Sequence, residues 1–430
     1  MLFNSFTFIF IFLPLLIVLY FVFPNKYRNI ILLIFSLIFY AWGSVKNLLF
    51  ILISLFINYL LSLFLKKKNK YVLIISILFN VIFLVLFKFD VSVFGISKPI
   101  GISFYTFQII SYLVDLYRKK VKPSKNIFNF SLYVTFFPQL IAGPIVRYID
   151  IEKQIENRKV SINGFVDGLR CFIIGLSLKV ILADNLYVIV HQIAGYNNLD
   201  IYSFILYTLA FSLEIYYDFY GYSKMAIGLG KMFGFELPKN FDYPYISLSI
   251  EDFWKRWHIS LSNWFKDYVY IPLGGNRVSK FRWIINMLIV WLLTGFWHGA
   301  NYNFVIWGLY YFILLVLEKV FLREKIKKWP KLLRWIYSFI LINIGWAIFG
   351  LADLKSLNFV KTSFIDFIRN NYNLLNYLPY MIISYILMFP FYKKIKVNSL
   401  LKDLLLLVLF IISILFLISD SYHPFLYFRF

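Results

Sequence analysis

Cysteine is all but missing from this 430-residue chain: Cys171 stands alone, so no internal disulfide forms. With only four histidines besides, a zinc site is not expected either. Charge is scarce too. Asp, Glu, Lys and Arg make up 15% of the residues, against about 25% in soluble globular domains. Acidic residues are the rarer sign, 21 against 44 basic ones, which leaves a formal charge of +23. In a soluble protein that excess would suggest nucleic acid. Here most basic residues sit in short clusters between uncharged stretches, the pattern of cytoplasmic loops, and no nucleic-acid partner is expected. Several familiar motifs are also missing. No Gly-x-Ser-x-Gly elbow occurs. Gly228, Gly230 and Gly234 miss the dinucleotide fingerprint by one residue and follow no strand, so they read as small residues for helix packing. Gly230-Lys231 lacks the upstream glycine and the Ser/Thr of a phosphate loop. No repeat, low-complexity linker or clear boundary interrupts the chain, so one domain is expected over 1–430.

What the chain has in quantity is apolar surface: 61% hydrophobic and 22% aromatic residues, with a mean hydropathy of +0.74. These values predict an all-α polytopic membrane protein. Long, nearly uncharged stretches lie at 6–23, 29–45, 47–65, 71–87, 100–117, 171–190, 203–222, 283–299, 304–321, 335–351, 379–392 and 402–419. Each is near the ~20 residues a helix needs to cross a bilayer. The first lacks a basic leader and a cleavage pattern, so it is expected to be a retained span. Lys26 with Arg28, the run Lys66 to Lys70, Arg118 to Lys120, Arg323 to Lys331 and Lys393-Lys394 put both termini outside if each cluster faces the cytoplasm. Residues 126–146 are uncharged between two basic loops and hold Pro138, Gly143 and Pro144. A re-entrant hairpin, enclosed by protein or a water-filled cavity, is expected there. The least apolar stretches are 235–280 and 352–378.

Two motifs carry candidate chemistry. In SIEDFWKRWHISLSNWFKDY, 249–268, Ser249 and Asp252 have the spacing of a capping box. A helix starting there places Trp254, Trp257, Leu261, Trp264 and Tyr268 on one stripe and Lys255, His258, Ser262 and Lys266 on another. That is the pattern of a helix lying in the membrane interface. In TGFWHGANYN, 294–303, His298 ends an apolar span, where an ionisable group usually has a function. Imidazole titrates near neutrality and serves as a general base, worth ~10² to 10⁴ in rate. Trp297 and Asn301 share this motif and are expected to support it. His191 and His423 read as solvated or structural. Asp115, Glu214 and Asp218 are acidic residues inside apolar stretches. Glu214 and Asp218, four apart, share a helix face, as a proton path or a hydrogen-bonded pair steadying the bundle would, and the structural or supporting role is preferred.

The runs FFPQLIAGPIVRY (136–148), IYYDFYGYSKMAIGLGKMFGF (215–235), DFWKRWHISLSNWFKDYVYIPLGGNR (252–277) and TGFWHGANYNFVIWG (294–308) closely resemble the membrane-bound O-acyltransferase (MBOAT) family, in its bacterial alginate and peptidoglycan O-acetyltransferase branch. The opening, the stretch GISFYTFQIISYLVDLYR and the ending PFLYFRF match that branch as well. The resemblance implies roughly a dozen helices plus the re-entrant segment around a central tunnel. It places the family's catalytic histidine on His298 and its second histidine on His258. It also implies acetyl-CoA as donor substrate with no bound cofactor, a glycan acceptor outside the cytoplasm, an esterase-like periplasmic partner and a bacterial inner-membrane location. His298 is then expected as general base, with His258 orienting the donor or sharing the proton transfer. Lys255, Arg256 and Arg277, with Arg282, offer cations to coenzyme A phosphates, although all four also read as orientation charges. Two alternatives stand beside this reading: D-alanyl transfer to a teichoic acid, and a solute or lipid transporter. The charge bias further sets His258 near the cytoplasm and His298 toward the outer half of its span.

Overall fold

A computed structural model describes residues 1–65, 68–88, 99–351, 354–355, 357–391 and 398–419. Lys66, Lys67, Lys393, Lys394, His423 and the ending PFLYFRF lie outside the described residues. In chain order the α-helices are α1 (Leu13–Val22), α2 (Arg28–Ala41), α3 (Val45–Leu65), α4 (Lys70–Lys88), α5 (Ile102–Tyr117), α6 (Ile127–Thr135), α7 (Phe137–Leu140), α8 (Tyr148–Asn157), α9 (Ile162–Ser177) and α10 (Asp184–Ala194). They continue with α11 (Ile201–Met232), α12 (Ile250–Arg256), α13 (Ile259–Phe265), α14 (Lys280–His298), α15 (Tyr302–Leu317), α16 (Arg323–Lys327), α17 (Lys331–Gly350), α18 (Phe364–Asn370), α19 (Leu378–Leu387) and α20 (Ser399–Ser419). Segments of π-helix precede α1 (Thr7–Phe12), join α9 to α10 (Leu178–Ala183), follow α13 (Lys266–Tyr270) and join α15 to α16 (Glu318–Leu322).

Each of the twelve apolar stretches is built on a helix. Among the described residues seven helical rods are long and apolar enough to cross a membrane: Val45–Leu65, Lys70–Lys88, Ile162–Ala194, Lys280–His298, Tyr302–Lys327, Lys331–Gly350 and Ser399–Ser419. The other stretches make shorter or more polar helices. α11, for example, has the length but carries Glu214, Asp218, Lys224 and Lys231. The exposed leucines and isoleucines that line α20 and α3 invert the soluble pattern, as a surface wetted by lipid requires.

Two compact units make up the chain, Met1–Leu176 with Tyr222–Lys239, and Ser177–Gly221 with Asn240–Phe430. In the first, residues 126–146 form α6 and α7, broken at Phe136, and then run without helix through Pro144. From Leu132 to Val146 they are buried. Their freed backbone groups are met inside the protein. Tyr133 donates its hydroxyl to Val146 O at 3.1 Å, Gln139 donates to Tyr133 O at 2.6 Å, and the Phe137 N–H donates to Ser36 Oγ at 3.1 Å. This is the enclosed, non-helical backbone that a re-entrant segment needs. The packing role expected of Gly228 is also met, since a Cβ there would lie 2.6 Å from Gly168 O. The second unit holds α12 to α15 and α17, which build the site.

Candidate active site

α14 begins where Ser279 Oγ accepts the Arg282 N–H at 3.4 Å and carries no charged residue from Trp283 to Trp297. It pairs with α15 at backbone contact. A Cβ on Gly295 would lie 2.5 Å from Phe304 O, and one on Gly308 would lie 2.6 Å from Trp291 O. His298, at the end of this close crossing, is 7% exposed. Its ring meets Trp307 edge-on at 5.1 Å and Phe349 edge-on at 5.1 Å. Trp307 in turn packs on Trp254, Trp291, Tyr311 and Trp346. An ionisable ring at the end of a span thus faces an aromatic enclosure, in which electrostatic effects on a reacting group are stronger than in water.

The expected helix start at Ser249 is present, with Ser249 Oγ accepting the Asp252 N–H at 3.0 Å. Glu318 adds a second cap, its carboxylate accepting the N–H groups of Ile250 and Glu251 at 2.8 and 3.1 Å. The continuous helix expected over 249–268 is not what forms. It breaks after Arg256, and His258 takes left-handed backbone angles, φ 44° and ψ 54°, before α13 starts. The cause is tertiary. Residues 240–243 clamp the break: Ile259 N–H donates to Asn240 O at 2.9 Å, Asp242 N–H donates to Arg256 O at 2.9 Å, and Arg256 donates to Asp252 Oδ1 at 2.8 Å and to Asp242 O at 3.3 Å. Tyr243 in the same clamp is also left-handed, φ 48°. Two non-glycine residues held this way cost about 1–3 kcal/mol each, a kind of strain that clusters at functional sites.

The break moves His258 off the exposed basic stripe and buries it to 1%, so the interfacial-helix expectation fails for this residue. Asn240 Oδ1 accepts from the Ser260 N–H at 3.3 Å and from its hydroxyl at 2.8 Å, and it lies 3.0 Å from His258 Nδ1. An oxygen already used as acceptor meets Nδ1 as a donor. The network therefore places the ring proton on Nδ1 and leaves Nε2 as the acceptor atom. Burial pushes the His258 pKa down to about 3, because desolvation disfavours the charged ring. Phe219 presses edge-on against it at 4.7 Å.

The two histidines meet on one residue. Trp297 lies 6.1 Å from the His258 ring and 4.9 Å from the His298 ring, centroid to centroid. One indole therefore separates the two rings, and residues 240–265 pack against α14 through contacts such as Trp254 with Trp291 at 4.8 Å.

The remaining expected residues fall into three groups. Asp218 is buried on α11 and lies 2.6 Å from the Lys179 ammonium, while Glu214, also buried, sits one turn before it. Lys255 is exposed and pairs with Glu251 at 2.6 Å. It lines a cavity of about 250 Å³ with Lys266, Trp254, Leu261, Phe265, Met287, Trp291 and Thr294. Thr294 stands one turn before His298 on α14. Arg256 is held in the clamp, Arg277 and Arg282 are exposed, and Asn301 is exposed at the start of α15. His191 is exposed and stacks on Tyr187 at 5.1 Å, in keeping with its structural reading. Sequence reasoning missed Asn240, Thr294, Phe219 and Lys179. For Lys179 a signal was present, a lysine inside the apolar run FIIGLSLKVILA. For Asn240 there was none, because its role is set by a loop pairing 18 residues away.

A family model described as MBOAT, membrane-bound O-acyltransferase family, matches residues 36–351, a range that includes both histidines and Trp297. The chain is 35% identical to a probable alginate O-acetylase AlgI of Pseudomonas putida, covering 100% of each chain. It is 39% identical to a peptidoglycan O-acetyltransferase of Helicobacter pylori over 60% of this chain and 55% of that one. A teichoic acid D-alanyltransferase of Bacillus subtilis is more distant, 31% identical over 56% of this chain and 62% of its own.

Proposed function

The chain belongs to the membrane-bound O-acyltransferase family, and from that premise we propose that it moves an acetyl group from cytoplasmic acetyl-CoA to hydroxyls of an extracytoplasmic polysaccharide or peptidoglycan, in the bacterial inner membrane. Membership makes it a multi-pass membrane acyltransferase and sets the transporter alternative aside. Acetyl is favoured over D-alanyl because the acetyl-transferring relatives match at higher identity, one of them end to end.

The observation that carries the reading is the pair of imidazoles on Trp297 inside an aromatic enclosure. His298 takes the proton from the acceptor hydroxyl as its oxygen attacks the thioester carbonyl. The new C–O ester bond forms, the C–S bond breaks, and the coenzyme A thiolate leaves with the proton returned by the imidazolium. Full burial makes His258 too weak a base for that step. Its Nε2 accepts a hydrogen bond and orients the donor instead. The cavity lined by Lys255, Lys266 and Thr294 suits an uncharged pantetheine limb with phosphates at a cationic mouth. Arg256 supports this indirectly by fixing the clamp. The attacking hydroxyl belongs either to the polymer itself or to a relay nucleophile on an esterase-like periplasmic partner, which then passes the acetyl group to the polymer.

The test is release of free coenzyme A from acetyl-CoA by detergent-purified protein, with candidate glycans and with or without any co-encoded periplasmic partner. Wild type is expected to turn over and H298A to fail. An H298A protein with full turnover at normal abundance overturns the base assignment. Wild-type turnover with a D-alanyl carrier and none with acetyl-CoA overturns the donor.

A further inference from the structure

Lys179 is a lysine in the middle of an apolar rod, 4% exposed, and the mechanism above does not use it. Its ammonium lies 2.6 Å from Asp184 Oδ1 and 2.6 Å from Asp218 Oδ1. Asp184 and Asp218 are buried as well. Residues five apart, such as Lys179 and Asp184, point to different faces of an α-helix with 3.6 residues per turn. The π-helical segment Leu178–Ala183 changes that, since its i to i+5 pattern stacks Asp184 over Lys179. The Asp184 N–H donates to Lys179 O while the Lys179 ammonium donates to Asp184 Oδ1. Such π segments often mark functional positions. Here the wider turn aims one ammonium at two carboxylates, one on its own rod and one on α11.

Asp218 is followed on α11 by Phe219, whose ring edge rests on the His258 imidazole at 4.7 Å and on Phe241 of the clamp at 5.1 Å. We propose that Lys179 is a positioning residue: through Asp218 it fixes the turn of α11 that carries Phe219, and Phe219 holds the His258 ring in its buried orientation. The His258 ring is thus held by Asn240 at Nδ1 and by three rings, Phe219 perpendicular to it at 4.7 Å, Trp297 at 6.1 Å and Phe241 nearly parallel at 6.5 Å, of which Phe219 makes the shortest contact. The Asn240 side is local to the break. The Phe219 side depends on an ion pair made by the rod before α11. The proposal deepens the role given to His258 and rests on that reading for its effect on turnover alone.

The first readout is diethylpyrocarbonate carbethoxylation in detergent-purified protein, followed by mass spectrometry. His258, nearly fully buried, is compared with exposed His191 as internal reference. K179M is expected to raise His258 labelling relative to His191 by about tenfold, with K179R returning it to the wild-type level. F219A is expected to raise it equally while Lys179, Asp184 and Asp218 stay in place. Because K179M leaves two buried carboxylates without their cation, the neutral triple variant K179M/D184N/D218N serves as the folded control. It is expected at normal abundance with His258 still exposed to reagent. A folded triple variant with His258 protected as in wild type overturns the proposal, as does F219A with unchanged labelling. Labelling does not depend on the acyl donor, so loss of the acetyl-CoA reading and loss of this proposal are separate results. If both stand, F219A lowers kcat by about tenfold and changes donor KM less than threefold.

Discussion

His298 ends an unbroken 19-residue helix and meets Trp307, Phe349 and Trp297 as ring neighbours. His258 sits in a left-handed break, tied at Nδ1 to Asn240 and pinned by Phe219. Both are buried, and both touch the same indole. Aromatic rings wall His298, whereas a hydrogen-bonded clamp fixes the tautomer of His258. The first setting suits a base whose proton comes and goes. The second suits a neutral ring that must present one nitrogen the same way in every cycle.

The sharpest way to break this comparison is to remove each imidazole in turn. H298A is expected to lower kcat by ~10² to 10⁴, and H258A by less, about tenfold to a hundredfold, with coenzyme A release as the measurement. Equal losses would mean that the two rings share one role. Next in size is N240A, which removes the partner of Nδ1 and leaves Ser260 without its acceptor. A fall of about tenfold in kcat is expected, with rescue by N240D, whose carboxylate oxygen still accepts from Nδ1. Smaller again is K255A/K266A, expected to raise the acetyl-CoA KM by about three- to tenfold with kcat nearly unchanged, since charge-assisted contacts to phosphate act on binding. Acceptor KM should not move.

The smallest effect concerns stability. The folded pKa of His258 lies near 3 and the unfolded value near 6.5. Between those values the unfolded chain binds the extra proton, so stability rises with pH. The contribution of a neutral His258 is therefore complete above about pH 6.5 and is lost as the pH falls toward 3. Thermal unfolding in detergent at pH 7 and pH 5 should show a drop for wild type. H258Q should show a smaller one.

How much of this could be read beforehand differs between the same two settings. The placing of His298 at the end of an apolar helix was legible because it rests on local pattern, an apolar run with a histidine at its end, whereas the close approach of α14 and α15 at Gly295 and Gly308 was not read. The twelve apolar stretches and the broken segment at 126–146 follow from the same kind of signal, as does the cap at Ser249. The His258 side was only half legible. Periodicity continues smoothly through 249–268, and nothing local says that the helix stops at Arg256. The stop is imposed by Asn240 and Asp242, which pair with the chain across a gap of 14 to 20 residues. The stripes drawn from a straight helix therefore put His258 on the wrong face. The π turn at Leu178–Ala183 is hidden for a related reason, since its wider winding answers to partners on α11.

One feature of the enclosure reaches beyond chemistry. Of the 11 tryptophans in the chain, Trp254, Trp257, Trp291, Trp297, Trp307 and Trp346 belong to one web of ring contacts that includes both histidines. The ultraviolet emission of this protein is thus weighted toward the surroundings of its two buried histidines. A change in the charge of either imidazole is written into an optical signal that needs no added label.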